Sequence, residues 1–143
     1  MNSKEIKFIY FDVGGVAILD YSKTNKWEEM LHDLNIGKEI RSSFDDLFDA
    51  HEKQICVGEP INTFVQEAKT KLGIHFPDEY DMTLDFVNRF EINVPMLSLI
   101  EKLRKDFKLG LLTGQYPNML NIIFDKGLLP KDIWDVIIDS SVE

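Results

Sequence analysis

A chain of 143 residues, 44% apolar and 29% charged, is one ordinary globular domain or a small core carrying an insertion, not a fibre or a disordered tail. Its net charge of −9 argues against a nucleic-acid backbone as partner. The single cysteine, Cys56, has no internal disulfide partner and suits a reducing compartment. With no apolar leader and no apolar run long enough to span a bilayer, the expectation is a cytoplasmic protein that does not enter membranes.

The first element is the run Phe8-Ile9-Tyr10-Phe11, which ends at Asp12 and is followed by Gly14-Gly15. Four large apolar residues ending at a charge and a glycine pair predict a buried strand followed by a sharp turn. A strand apolar on both faces belongs in a parallel sheet covered by helices, and such sheets bind ligands beyond the carboxyl ends of their strands. Asp12 stands at that end. Taken alone, a carboxylate there serves equally well to cap the turn.

From Tyr21 to about Glu91 the pattern is helical. Trp27, Met30, Leu31 and Leu34 form one stripe; Ile40, Phe44, Leu47, Phe48 and His51 form a second. After Val57-Gly58-Glu59-Pro60, Ile61, Phe64, Val65, Ala68 and Leu72 make a third; past Gly73, Tyr80, Leu84, Val87 and Glu91 mark a fourth, with Phe86 and Phe90 widening its face. Four amphipathic helices with short connections predict a small bundle. Residues 21–93 carry seven of the nine net negative charges, which reads as the solvated face of these helices. His51 has no metal-binding neighbour in the sequence and reads as a core or rim histidine.

At Asn93 the pattern changes. Val94-Pro95 suits a helix start, with Met96, Ile100, Leu103 and Phe107 as its buried stripe. Leu109-Gly110-Leu111-Leu112 is a second short strand, ending in Thr113-Gly114-Gln115. Met119, Leu120, Ile123 and Phe124 mark another helix, and Val136-Ile137-Ile138 a third strand. Buried strands alternating with helices predict an α/β fold with right-handed parallel crossovers.

Phe-Asp-Val-Gly-Gly-Val at 11–16 and Leu-Leu-Thr-Gly at 111–114 resemble the first two motifs of the haloacid dehalogenase-like hydrolase superfamily. Ile-Asp-Ser-Ser at 138–141 resembles the segment just before its third motif, and the helical insertion resembles its type-one cap. The resemblance implies a Rossmann-like parallel sheet, truncated at about three strands, from residues 1–20 and 94–143, with a four-helix cap over residues 21–93. It further implies a magnesium-dependent phosphatase of a small phosphorylated metabolite. In that reading Asp12 is the nucleophile that becomes an aspartyl-phosphate, Thr113 and the N–H of Gly114 bind phosphate, and Asp12 with the carbonyl of Gly14 holds Mg2+. Tyr21 and Ser22 fall at the hinge, where they pack or face the ligand.

Two departures qualify the resemblance. Gly14 stands where many of these phosphatases have a second aspartate for proton transfer, and dehalogenases of the superfamily do without that proton. The lysine of the third motif and the acidic pair of the fourth have no counterpart up to Glu143; Lys108, Lys126 and Lys131 read as surface positions. The chain is therefore expected to be the N-terminal part of a longer hydrolase and inactive by itself. The alternative is a non-catalytic protein that keeps the fold for binding, and a dehalogenase-type hydrolase is a third reading. Without a further strand beside it, Phe8–Phe11 is expected to be an open edge, pairing most simply as a two-fold homodimer.

Overall fold

A computed structural model describes residues 5–142. Three parallel strands make the sheet, β1 (Phe8–Phe11), β4 (Lys108–Thr113) and β5 (Val136–Asp139), in the order β1-β4-β5. Ile9 is in register with Leu109 and Phe11 with Leu111; Leu111 is in register with Ile137 and Thr113 with Asp139. Every connection between these strands is long and carries helix, as parallel pairing demands. The α/β architecture with a three-stranded parallel sheet is thus the one the apolar runs predict.

Side chains alternate between the faces of a strand, and the two faces of this sheet differ. Leu109 and Leu111 are fully buried in one apolar cluster with Ile100 of α5 (Val94–Leu103) and Ile123 of α6 (Met119–Asp125). Tyr10, Leu112 and Ile138 lie on the opposite face and stay exposed, Leu112 by 53%. The expectation of a first strand buried on both sides is therefore corrected: among the described residues, no helix covers that face of β1. Tyr10 lies across Gly110, where an added Cβ would come within 2.7 Å of its ring, and stacks on Phe8 at 4.7 Å.

Between β1 and α5 the chain makes two further short strands and four helices: β2 (Ile18–Leu19), α1 (Lys26–Asp33), α2 (Lys38–Ile55), α3 (Ile61–Leu72), α4 (Met82–Arg89) and β3 (Glu91–Ile92). α2 ends before Gly58, whose φ is +115°, and Pro60 caps α3 at its start. Gly73 closes α3 in the left-handed conformation, at φ +66°. Asp81 caps α4 by accepting the N–H of Leu84 at 3.1 Å. The buried face of α4 keeps the expected Phe86 and Val87 and adds Met82 and Thr83, while Glu91, expected on the stripe, lies in β3. Phe44 and Phe64, fully buried 5.3 Å apart, with Phe48, Trp27 and Phe86 around them, make the interior of the helical unit.

β2 pairs antiparallel with β3, Ile18 opposite Ile92 and Leu19 opposite Glu91, so the chain enters and leaves the helical unit side by side. The Asn93 amide donates to the carbonyl of Val16 at 2.8 Å and fixes the two crossings to each other. No helix among the described residues is long and apolar enough to cross a membrane.

Candidate active site

The carboxyl ends of β1 and β4 and the inner face of α2 enclose a cavity of about 690 Å³. From the sheet side it is lined by Asp12, Gly14, Asp20, Gly114, Gln115 and Tyr116. The helical side contributes Trp27, Asp45, Phe48, Asp49, Glu52 and Phe86. Of the residues singled out in the sequence, Asp12, Gly14, Gly114 and Tyr21 border this space. Thr113 does not: it is buried just behind, 5% exposed, at the end of β4. Ser22 is exposed and its N–H binds the Asp20 carboxylate at 2.8 Å, which gives it a part in the turn instead of the lining.

Each sheet residue is placed by backbone geometry. Asp12 leaves β1 exposed, and its Oδ1 accepts the N–H of Val13 at 2.8 Å. Gly15 then takes φ +75°, and the carbonyl of Val13 accepts the N–H groups of Val16 and Ile18. This tight return brings Ile18 back beside Gly14 and carries Asp20 over it. A Cβ at residue 14 would press on Oδ2 of Asp20 and stand 3.2 Å from its Cγ, so a side chain there would displace the end of that carboxylate. At β4 the Gln115 amide donates to the Thr113 hydroxyl oxygen at 2.8 Å, occupying a lone pair and leaving the Thr113 proton free to point elsewhere.

The helical side meets the sheet side directly. Tyr116 donates its phenol proton to Glu52 at 3.0 Å and packs its ring against Phe48 and Phe86, at 6.1 and 5.8 Å. Burial pushes the Tyr116 phenol above its ordinary range, and the neighbouring Glu52 adds to this, so it stays a proton donor. The Ser140 hydroxyl, just past β5, donates to the carbonyl of Cys56 at the end of α2 at 2.6 Å. Burial raises the Cys56 thiol as well, with Glu52 adding to it, which keeps it protonated and a weak nucleophile.

Five carboxylates line the cavity: Asp12, Asp20, Asp45, Asp49 and Glu52. No lysine, arginine or histidine among the described residues lines it, and none forms an ion pair with any of the five. Of the acidic surplus of residues 21–93, Asp45, Asp49 and Glu52 border the cavity, where Asp49 and Glu52 remain exposed to solvent. Their spacing with Phe48 along α2 is one helix face, a signal present in the sequence but masked by the apolar stripe beside it. Gln115 and Asp20 were also passed over; a lone amide and a lone aspartate carry no periodicity.

The oxygen donors suit a hard divalent cation only in part. Among the described residues no cluster of three or more His, Cys, Asp and Glu side chains stands ready to hold a metal. Asp12 and Gly14 nonetheless border one space, and Mg2+ commonly binds through one or two carboxylates while keeping waters and substrate phosphate as its other ligands.

No protein-family model matches the sequence, and neither does any curated protein. Solved structures do match. The chain is similar to the HAD family enzyme BT-2542 of Bacteroides thetaiotaomicron, at 20% identity and a TM-score of 0.65, over 96% of this chain and 70% of that one. The same enzyme in complex with magnesium and inorganic phosphate matches at 19% identity and a TM-score of 0.64. A HAD-like family hydrolase from Porphyromonas gingivalis matches at 23% identity and 0.66, over 95% of this chain and 67% of that one. The chain has the haloacid dehalogenase-like hydrolase fold.

Proposed function

We propose that this chain carries the nucleophile and phosphate-binding half of a magnesium-dependent phosphatase for a small phosphorylated metabolite. The observation that supports it most is the company of Asp12. It leaves the carboxyl end of β1 into a cavity open to solvent that Gly114 also lines, with Thr113, its hydroxyl oxygen held by Gln115, buried behind. The likeness to an enzyme solved with magnesium and inorganic phosphate adds to the reading.

In this reading an Asp12 oxygen attacks phosphorus, the bond from phosphorus to the leaving oxygen breaks, and an aspartyl-phosphate is left for water to open. The N–H of Gly114 donates to a phosphate oxygen, while Thr113, buried one layer behind, accepts the Gln115 amide and holds that side chain in place. Asp12 and the carbonyl of Gly14 would hold Mg2+, which neutralises the repulsion between carboxylate and phosphate. The helical unit, tied to Tyr116 and Ser140, forms the second wall of the cavity and would contact the part of the substrate beyond its phosphate.

The same lining supports a second reading. With five carboxylates facing the cavity and no cation among its lining residues, an incoming phosphate is repelled, so residues 1–143 alone should turn over phosphate esters negligibly. A protein that only binds would have the same lining. The two are separated by incubating the chain with acetyl phosphate and Mg2+, then reading the intact mass and its sensitivity to hydroxylamine. A hydroxylamine-sensitive phosphoryl adduct on the natural chain, absent from Asp12→Asn, is the expected result. An adduct that persists in Asp12→Asn overturns the nucleophile assignment, and none on the natural chain favours the binding protein.

A further inference from the structure

The cavity offers carboxylates and aromatic rings to whatever enters it, and none of its described lining residues is a lysine, arginine or histidine. We propose that the substrate carries an ammonium group besides its phosphate, and that Asp49, Gln115 and the ring of Trp27 receive it. This inference rests on the phosphatase reading of Asp12 and goes beyond it by naming a substrate class, a small amino-bearing phosphate monoester.

Three independent features carry it. The first is an uncommitted charge on α2. Asp45 accepts the indole N–H of Trp27 at 2.9 Å, and Glu52 accepts the phenol of Tyr116 at 3.0 Å. Asp49, one helical turn from each and also bordering the cavity, has no ion-pair partner and accepts no side-chain hydrogen bond among the described residues.

The second feature is Gln115, which borders the same cavity and is only 5% exposed. Its amide nitrogen donates to the Thr113 hydroxyl at 2.8 Å, and its carboxamide oxygen accepts nothing from the described residues. Among those residues the only side-chain polar atom sealed from solvent without a partner is Nε of Arg41. The Gln115 oxygen is therefore reached from outside, and the space its residue borders is the cavity. A buried acceptor of this kind calls for a donor. A phosphate dianion brings none, whereas an ammonium brings as many as three.

The third feature is the rings. Trp27 is half-buried and lines the cavity with Tyr21, Phe86 and Phe90, and its hydrogen bond to Asp45 fixes the indole. The face of an indole attracts a cation and offers nothing to an anion. A hydroxyl would satisfy one acceptor but leave the negative charge of the lining uncompensated. An ammonium answers acceptors, charge and ring together, and it offsets part of the repulsion that the five carboxylates exert on the phosphate.

Titration of the natural chain in the presence of Mg2+ tests this, with nuclear magnetic resonance following the Trp27 indole N–H and the Asp49 amide. The probes are aminoethyl and aminobutyl phosphate. Each is compared with its hydroxyl counterpart, hydroxyethyl or hydroxybutyl phosphate, and with the amino alcohol that lacks the phosphate. At one chain length at least, the aminoalkyl phosphate should bind about 10-fold more tightly than its hydroxyl counterpart. Asp49→Asn keeps the size of the side chain and should cut that advantage to about 2-fold or less. Asp46→Asn removes the same charge from an exposed position on α2 that does not border the cavity, and should leave the advantage intact. Equal binding of aminoalkyl and hydroxyalkyl phosphates at both lengths overturns the proposal. An advantage that survives Asp49→Asn, or falls equally in both variants, overturns it too, the second case showing attraction by net charge alone. An amino alcohol that binds as tightly as its phosphate ester, with the Asp49-dependent preference kept, supports the ammonium site while overturning the phosphate reading.

Discussion

Two hydrogen bonds tie the end of α2 to the sheet side of the cavity, Tyr116 to Glu52 at 3.0 Å and Ser140 to the carbonyl of Cys56 at 2.6 Å. Removing both in Tyr116→Phe/Ser140→Ala should loosen closure without unfolding either part. Glu52 is exposed, so water replaces the lost phenol and the cost is small, about 0.5–1 kcal/mol. The Cys56 carbonyl belongs to the last turn of α2 and is half shielded, so leaving it without a donor costs more, about 1–1.5 kcal/mol. Together they come to about 2 kcal/mol, or roughly a 30-fold shift toward the open form. The Phe side chain keeps the ring contacts with Phe48 and Phe86, so the apolar part of the interface survives. Amide hydrogen exchange is the assay: the N–H groups at 114–116 and around Cys56 should exchange on the order of 30-fold faster, while Leu109–Leu111 are unchanged. If exchange at those amides does not rise, the two bonds do not hold the cavity closed. A rise shared equally by β4 would mean global unfolding instead of opening.

Two further outcomes follow from the structure. His51 has Nδ1 3.2 Å from Glu59 and its other ring nitrogen against Glu67, which also pairs with Lys71. Burial disfavours its charge, but the two carboxylates outweigh burial and raise its pKa above 6.5, while Lys71 and then His51 lower that of Glu67 below 4.5. A raised histidine stabilises below its unfolded pKa and loses that contribution as pH rises through the folded one; a lowered glutamate loses its contribution as pH falls. The tie between α2 and α3 should therefore be strongest between about pH 4.5 and 6.5, and the excess melting temperature over His51→Gln should shrink toward pH 8. The open edge of β1, with Lys7 at one end and Asp12 at the other, should pair antiparallel with a second copy, which places those charges opposite each other. Light scattering at micromolar concentration should then give a dimer that Tyr10→Lys weakens; a natural chain that stays monomeric refutes the pairing.

The sheet and helices α1 to α3 were legible because their side chains repeat. β1, β4 and β5 are short apolar runs stopped by Asp12, Thr113 and Asp139, and α1 to α3 keep their stripes over two turns or more. β2 and β3, with two residues each, are too short to show any period and follow only from their pairing. Asp12 and Gly114 were found by motif and do border the cavity; Thr113 stands one layer behind, which no linear pattern distinguishes. Asp20 was invisible for a different reason. It comes to the cavity only after the turn at Gly15 folds the chain back over Gly14. The bare face of the sheet could not be read either, since apolar side chains on both faces look the same whether or not a helix arrives to cover them.

The pairing of β2 with β3 has a consequence for how such a chain could be remodelled. Seen from the sheet, the two strands are an ordinary antiparallel hairpin whose loop happens to be residues 20–90. The entropy of closing a loop rises only with the logarithm of its length, so growing this one from two residues to its present size costs about 3 kcal/mol if nothing else changes. A unit with its own aromatic interior offsets that easily. The ends would stay where they are if the insert were shortened, lengthened or exchanged for another with neighbouring termini. Joining Leu19 to Glu91 by an Asn-Gly turn should leave β1, β4 and β5 in register, while removing the wall that carries Asp45, Asp49 and Glu52. The lining of the cavity and the sheet's integrity are in this sense separately heritable, and the seam between them is four residues wide.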